Sequence, residues 1–479
     1  KKRTDESGTG ASDVCCASGA ACRICIDCIS SIPEVDFRIQ SCYKKGERDK
    51  MSAVVVFALF VICLIIAIPV SISLSVASVL PGMFDPSFTA TGTYVIRSML
   101  GGLDSFPLLA VPMFVLSGIL MAKGGISRRL FDVFAYLMGN RTAGMPCAVI
   151  VTCLFYGAIS GSAPATVAAV GSMTIPILVE MGYEKTFSTA IVAVAGGLGV
   201  IIPPSIPFIM YGMASGASVS DLFLAGIIPG ILISLLLMFY AYFYCKRHGE
   251  DLEKKEKVIG ELKSRGFKRV LADSALAMLS PVIILGCIYT GVASPTEAAV
   301  ISVFYALFIS LFLYKSIQIK DLWGILVEGI RTYTPILFIL AASVAFSRVL
   351  TLMQIPQVVS SWILTHFTNP VILLIVINVF LFLVGMVMDT TPAILILTPI
   401  LLPIVENIGV NPVHFGIIMV VNLAVGFVTP PIGVNLFVAS SLSDVPVMKI
   451  AKQAMPMIGY FLAALLLITF IPAISLALV

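Results

Sequence analysis

The residues of this chain that could do chemistry are neutral oxygens gathered where helices must break. Residues 157–177 read GAISGSAPATVAAVGSMTIPI and 196–207 read GGLGVIIPPSIP, with apolar runs on either side. In the other half, 385–403 read GMVMDTTPAILILTPILLP and 426–435 read GFVTPPIGVN. So much Gly, Ser and Pro cannot continue one helix. Irregular backbone at membrane depth survives only where protein covers it or where it lines a wet cavity. Carbonyls and hydroxyls freed there suit a small cation or a polar solute, because several oxygens stand in for a hydration shell without adding charge.

Two cation sites are expected on this basis, and the resemblance stated below makes the ion sodium. In the first, the tip Ser160, Gly161, Ser162 and Ala163 faces Gly199 and Pro203; in the second, Asp389, Thr390 and Thr391 face Thr429, Pro430 and Gly433. An anionic solute would gain from helix N-termini converging between the tips, so Ser160, Ser162, Asp389, Thr390 and Asn435 are the expected solute contacts. The plainer alternative is that Ser and Gly only let helices approach closely. Asp389 is the most telling ionisable group, since a carboxylate at membrane depth is costly unless paired, protonated or ion-bound. It also suits the N-cap of an arm starting at Pro392. Glu297 fits a capping box with Ser294. Glu180 and Glu406 close equivalent hairpins, and Arg97 and Arg348 suit a partner protein or lipid headgroups.

The elements that position these residues come in two copies. Pro69 and Pro295 differ by 226 positions, Pro107 and Pro335 by 228, and Pro164 and Pro392 by 228. Pro176 and Pro403 differ by 227, as do Pro203 and Pro430, each of the last two lying four residues after a Gly. Five matches in one order indicate a duplicated unit. The expected organisation is an all-α polytopic membrane protein with two inverted-topology repeats, 51–247 and 274–479, joined by a cytoplasmic linker, 248–273. Each repeat carries a re-entrant helical hairpin (143–181 and 370–406) and a broken helix (187–214 and 412–440). Spans are expected at 106–122, 222–245, 275–293, 295–315, 334–351 and 446–478, an interfacial stretch at 89–104, and an amphipathic surface helix at 127–140. Residues 54–80 form either two spans that turn at Pro69 or one bent span.

Composition agrees. Hydrophobic residues make up 59% and charged ones 12%, with a mean hydropathy of +1.05, where a soluble domain carries about 25% charged residues. The net charge of +4 lies mostly in loops and bears on orientation rather than on nucleic acid. No Walker A, HExxH or GxSxG pattern occurs, and the three histidines lack metal-ligand spacing; an enzyme is not expected. Residues 246–269 hold nine Lys/Arg and five Asp/Glu and read as a cytoplasmic loop. Counting outward from there, the first hairpin opens from the cytoplasm and the second from outside.

Residues 1–50 differ from the rest and hold six of the eleven cysteines. Cys22, Cys25 and Cys28 are spaced CxxCxxC, but Ile32 stands where an iron–sulfur run needs its fourth Cys. The stretch reads as a disordered tail, or as translated sequence ahead of a start at Met51.

FPLLAVPMFVLSGILMAKGGISRRL (106–130), GAISGSAPATVAAVGS (157–172) and VIIPPSIPFIMYG (200–212) resemble the large membrane subunit of TRAP (tripartite ATP-independent periplasmic) transporters. So do ASPTEAA (293–299), GMVMDTTPAILILTPILLPI (385–404) and FVTPPIGVNLFV (427–438), and the likeness covers about Met51 to Val479. The resemblance implies an ion-transporter-superfamily fold in a bacterial or archaeal cytoplasmic membrane. It implies a sodium gradient as driver and an elevator motion of hairpin-bearing domains. It also implies a small four-span membrane subunit, a soluble periplasmic substrate-binding protein, and a carboxylate cargo such as a C4-dicarboxylate or sialic acid. The main alternative is a stand-alone sodium–carboxylate symporter of similar architecture.

Overall fold

A computed structural model describes residues 55–56, 58–64, 66, 68–84, 88–367 and 369–479. The Cys-rich stretch 1–50 lies outside the described residues. One compact unit runs from Ala67 to Val479 and holds all the elements named below. Every regular element in it is helical. Among the described residues, nine helices are long and apolar enough to cross a membrane, so this is a multi-pass membrane protein.

After the non-helical Pro69, α1 (Val70–Phe84) begins, followed by α2 (Gly92–Leu103), a 3-10 turn (Phe106–Leu109) that runs into α3 (Ala110–Lys123), and α4 (Ile126–Met138). Then come α5 (Gly144–Ser160), α6 (Ala163–Glu180), α7 (Lys185–Ala195), a 3-10 turn (Gly196–Val200), α8 (Ile206–Ser215) and α9 (Val219–His248). A charged helix, α10 (Leu252–Ser264), leads to α11 (Phe267–Tyr289), α12 (Pro295–Phe308) with a π turn (Ile309–Leu313), and α13 (Leu322–Leu352). The chain ends with α14 (Ile355–His366), α15 (Pro370–Val387), α16 (Thr390–Asn407), α17 (Pro412–Gly426), α18 (Val434–Ser443), α19 (Val447–Phe470) and α20 (Ala473–Leu476).

Three segments differ from the sequence reading. The stretch expected as a charged loop at 246–269 is largely helical. Lys and Glu are good helix formers, and Asp251 caps α10 by accepting the Lys254 N–H (3.2 Å). The span expected at 275–293 begins earlier, at Phe267, so residues 267–273 of the expected linker already belong to α11. Likewise α13 starts twelve residues before the expected 334: its first turns carry Glu328 and Arg331, which lower the hydropathy, and tolerate Gly324 and Gly329, with the first proline at Pro335.

Two sets of contacts stand out, joined where α4 packs on α5 and α13 packs on α16. In one, α13 packs on α1, α2 and α3, α3 packs on α12, and α11 packs on α4 and α12. In the other, α7 and α9 pack on α19, and α15 on α17. Here helices from the two halves of the chain meet: α8 lies on α16, and α18 lies on α6. Large aromatic side chains fill the interior, and their hydroxyls find carbonyls: Tyr156 Oη donates to Gly118 O (3.3 Å) and Tyr211 Oη to Pro412 O (2.6 Å).

The foot of the first hairpin is fastened by a buried ion pair. Glu250 and Lys255, with side chains 6% and 5% exposed, meet at 2.8 Å. Glu250 also accepts the Tyr183 hydroxyl (2.6 Å) and the Ala143 N–H (2.9 Å), while Lys255 donates to Arg141 O (2.7 Å). Residues just before α5 and just after α6 are thereby tied to the start of the charged segment. Burial alone would raise the Glu250 carboxyl, but hydrogen bonds from Lys255 and Tyr183, the Lys255 charge and the Ala143 amide hold it below its ordinary range.

Candidate functional site

The first tip is a two-residue break. α5 ends at Ser160; Gly161 takes a left-handed conformation (φ 61°) and gives its N–H to Gly157 O (2.9 Å), and Ser162 is extended. Pro164 sits in the first turn of α6, where its missing donor costs nothing. The oxygens converge: Thr166 Oγ1 donates to Ser162 O (2.8 Å) and lies 2.9 Å from the buried Ser160 Oγ. The tip is seated on the broken helix behind it. Ile206 N–H donates to Gly161 O (3.3 Å), and a Cβ built on Gly199 would stand 2.8 Å from Ser162 O. On the opposite side, Gly118 of α3 abuts Ser160. Residues 196–210 are buried throughout.

The second tip follows the same plan. α15 ends at Val387, Met388 is extended, and Asp389 caps α16 by accepting the Thr390 N–H at 2.7 Å. The arm thus begins at Thr390 rather than at Pro392. Ile432 N–H donates to Met386 O (3.3 Å), joining tip to break. Thr429 is buried and donates to Val425 O (2.8 Å), and Gly433, at φ 56°, turns the chain into α18. The Pro203-Pro204 and Pro430-Pro431 bonds are both cis. The copies differ in exposure: Asp389, Pro431 and Ile432 reach the surface, whereas Thr390 and Thr391 are buried.

The residues of each expected sodium site therefore lie on a tip and a break that touch. The expected solute contacts are less gathered. Among the described residues, no hydrogen bond joins Ser160 or Ser162 to Asp389 or Thr390. Asn435, fully buried, gives its Nδ2 to Ala193 O of the first copy (3.1 Å), and its Oδ1 has no partner. Ser294 and Glu297 form the expected capping box. Glu180, Glu406, Arg97 and Arg348 are exposed. Sequence reasoning missed Thr166, although its position one turn after Ser162 was a usable signal. It also missed Asn422, one turn before Gly426, whose Nδ2 bonds Asn378 O (2.9 Å) and Oδ1 (2.8 Å).

Residues 57–474 match the family described as the tripartite ATP-independent periplasmic transporter, DctM component. The chain is 42% identical over 424 residues to the isethionate TRAP transporter permease protein DctMQ of Oleidesulfovibrio alaskensis, a match that covers 88% of this chain and 65% of that longer protein. It is 40% identical over 375 residues to the C4-dicarboxylate TRAP transporter large permease protein DctM of Pseudomonas aeruginosa, covering 78% of this chain and 86% of that one. Its fold is similar to the YdaH transporter of Alcanivorax borkumensis, with a TM-score of 0.59 at 13% identity over 87% of this chain and 98% of that one. The family match spans both tips and both breaks, and the chain belongs to the DctM family of TRAP transporter large permeases.

Proposed function

We propose that this permease imports a small organic anion, such as a C4-dicarboxylate, sialic acid or a comparable acid, using a sodium gradient across a bacterial or archaeal cytoplasmic membrane. One observation carries the reading. Each copy seats a hairpin tip on a proline break: Gly161 on Ile206 in the first, Met386 on Ile432 in the second. At such places backbone carbonyls and neutral hydroxyls leave their helices together, which is what a dehydrated cation requires.

Each copy then holds one sodium ion, the first at Ser160–Ala163 with Gly199 and Pro203, the second at Asp389–Thr391 with Thr429, Pro430 and Gly433. The exposed Asp389 supplies charge on the open side, and the anion binds between the tips near Ser160, Ser162, Asp389, Thr390 and Asn435. Sodium bound first would offset repulsion between Asp389 and an anionic cargo. The two copies are oppositely oriented in the bilayer. The group built from α5–α9 and α15–α19 moves as an elevator against the group built from α1–α4 and α11–α13. A small membrane subunit and a periplasmic binding protein complete the assembly. The greater length of the relative named DctMQ supports such a subunit.

Sodium titration of uptake tests the ion sites. Ser162→Ala and Thr429→Ala are each expected to raise the sodium concentration needed for half-maximal uptake; unchanged dependence in both would remove the reading. Uptake that proceeds equally well without a soluble binding protein would favour a stand-alone symporter.

A further inference from the structure

Three membrane-crossing helical stretches end at one place: Phe106–Lys123 and Pro295–Leu313 finish there, and Ile319–Leu352 starts there. Between them lies a cavity of about 440 Å³ lined by Lys123, Ser316, Lys320, Asp321, Gly324 and Ile325. Its wall is a shaped loop. The π turn Ile309–Leu313 brings Ser310 O under the N–H groups of Ser316 (3.0 Å) and Ile317 (3.4 Å), Lys315 adopts a left-handed conformation (φ 51°), and Ile317 is buried.

The charges are unevenly engaged. Lys123 pairs with Glu328, and the Asp321 carboxylate accepts the Gln318 N–H at 3.0 Å. Lys320 has no ion-pair partner among the described residues. Lys315 and Arg331 are exposed nearby in sequence. Beside this polar opening, Trp323 and Ile319 are 75% and 79% exposed, and Phe312 is exposed as well. With Lys123 paired to Glu328 and Asp321 holding its N-cap amide, Lys320 is, among the described residues, the cation left open in this cavity; beside an apolar and indole rim where spans end, it matches a lipid with a charged head and a greasy body.

We propose that this cavity binds a phosphodiester carried by the headgroup of an anionic phospholipid, with Lys320 as its principal cation. Lys123 and Ser316 supply further donors, and the acyl chains lie along Ile319 and Trp323. The inference rests on the membrane setting of the proposed function but not on sodium coupling or cargo, so lipid binding and uptake fail independently.

The test uses the full-length chain purified from membranes in its native assembly, with phosphatidylglycerol, phosphatidylcholine and inorganic phosphate as separate probes. Native mass spectrometry and thermal unfolding are the readouts. Phosphatidylglycerol is expected to be retained over phosphatidylcholine and to raise the melting temperature. Lys320→Ala should lower its affinity about five-fold, the equivalent of about 1 kcal/mol for one basic group at an anionic surface, while Lys449→Ala, at an exposed lysine outside the cavity, leaves it unchanged. Equal retention in Lys320→Ala and the unaltered chain would overturn the site. Stabilisation by inorganic phosphate alone that is lost in Lys320→Ala would overturn the lipid assignment, as would equal retention of the two lipids.

Discussion

Gly426, the last residue of α17, lies backbone against backbone on Gly385 of α15, so closely that a Cβ there would run into the Gly385 carbonyl. The first copy repeats this contact: a Cβ on Gly157 would stand 2.7 Å from Gly199 Cα. Without side chains between them, tip-bearing arm and broken helix approach as only small residues permit, and the carbonyls at each break come within reach of its tip. Gly426→Ala is expected to cost roughly 1–3 kcal/mol through overpacking and to lower the melting temperature. Gly459→Ala, where a Cβ meets nothing within 4 Å, should leave it unchanged or raise it.

The buried pair at the hairpin foot makes a sharper energetic statement. Lys255→Met strands the Glu250 carboxylate, and breaking a buried pair costs about 3–5 kcal/mol. Substituting both partners by apolar residues should recover much of that loss. Thermal unfolding of Lys255→Met and of the double variant checks this.

The same carboxylate sets a pH dependence. Because the Glu250 carboxyl titrates below its ordinary 4.5 when folded, its contribution is complete above about pH 4.5 and drains as pH falls through the lower folded value. Glu250→Gln should therefore flatten the acid side of the stability curve while leaving its slope near neutrality unchanged. A curve of unaltered shape would contradict the assigned role.

At the start of α12, Ser294 Oγ accepts the Glu297 N–H (3.3 Å) and Glu297 Oε2 accepts the Ser294 N–H (2.8 Å). Ser294→Ala should cost about 1 kcal/mol and leave the sodium dependence of uptake intact, since the box lies away from both tips in sequence and is complete without an ion.

Much of this was legible because prolines and glycines punctuate a membrane chain strongly. Gly161 and Pro164 located the first tip to within a residue, and the spacing of Pro203 and Pro430 gave the matching breaks. What escaped lay outside the pattern of prolines, glycines and hydropathy. The helical state of residues 252–264 depends on propensity, which hydropathy ignores. Asn422 matters through Asn378 on another helix, so only the fold reveals it, whereas Thr166, one turn from Ser162, was within reach of the sequence. Asn435 read as a solute contact because it follows a break, yet its amide reaches α7 across the boundary between copies.

The most direct measurement asks whether the chain binds sodium where its helices break. Sodium chloride and choline chloride are titrated against the purified protein, with thermal unfolding as the readout; a ligand that binds only the folded state raises stability as its concentration passes the dissociation constant. Sodium should raise the melting temperature where choline does not. Thr166→Val and Thr429→Val should each reduce that shift, and the two together should abolish it. An equal rise with both salts, or a full sodium shift in the doubly substituted protein, would contradict the account.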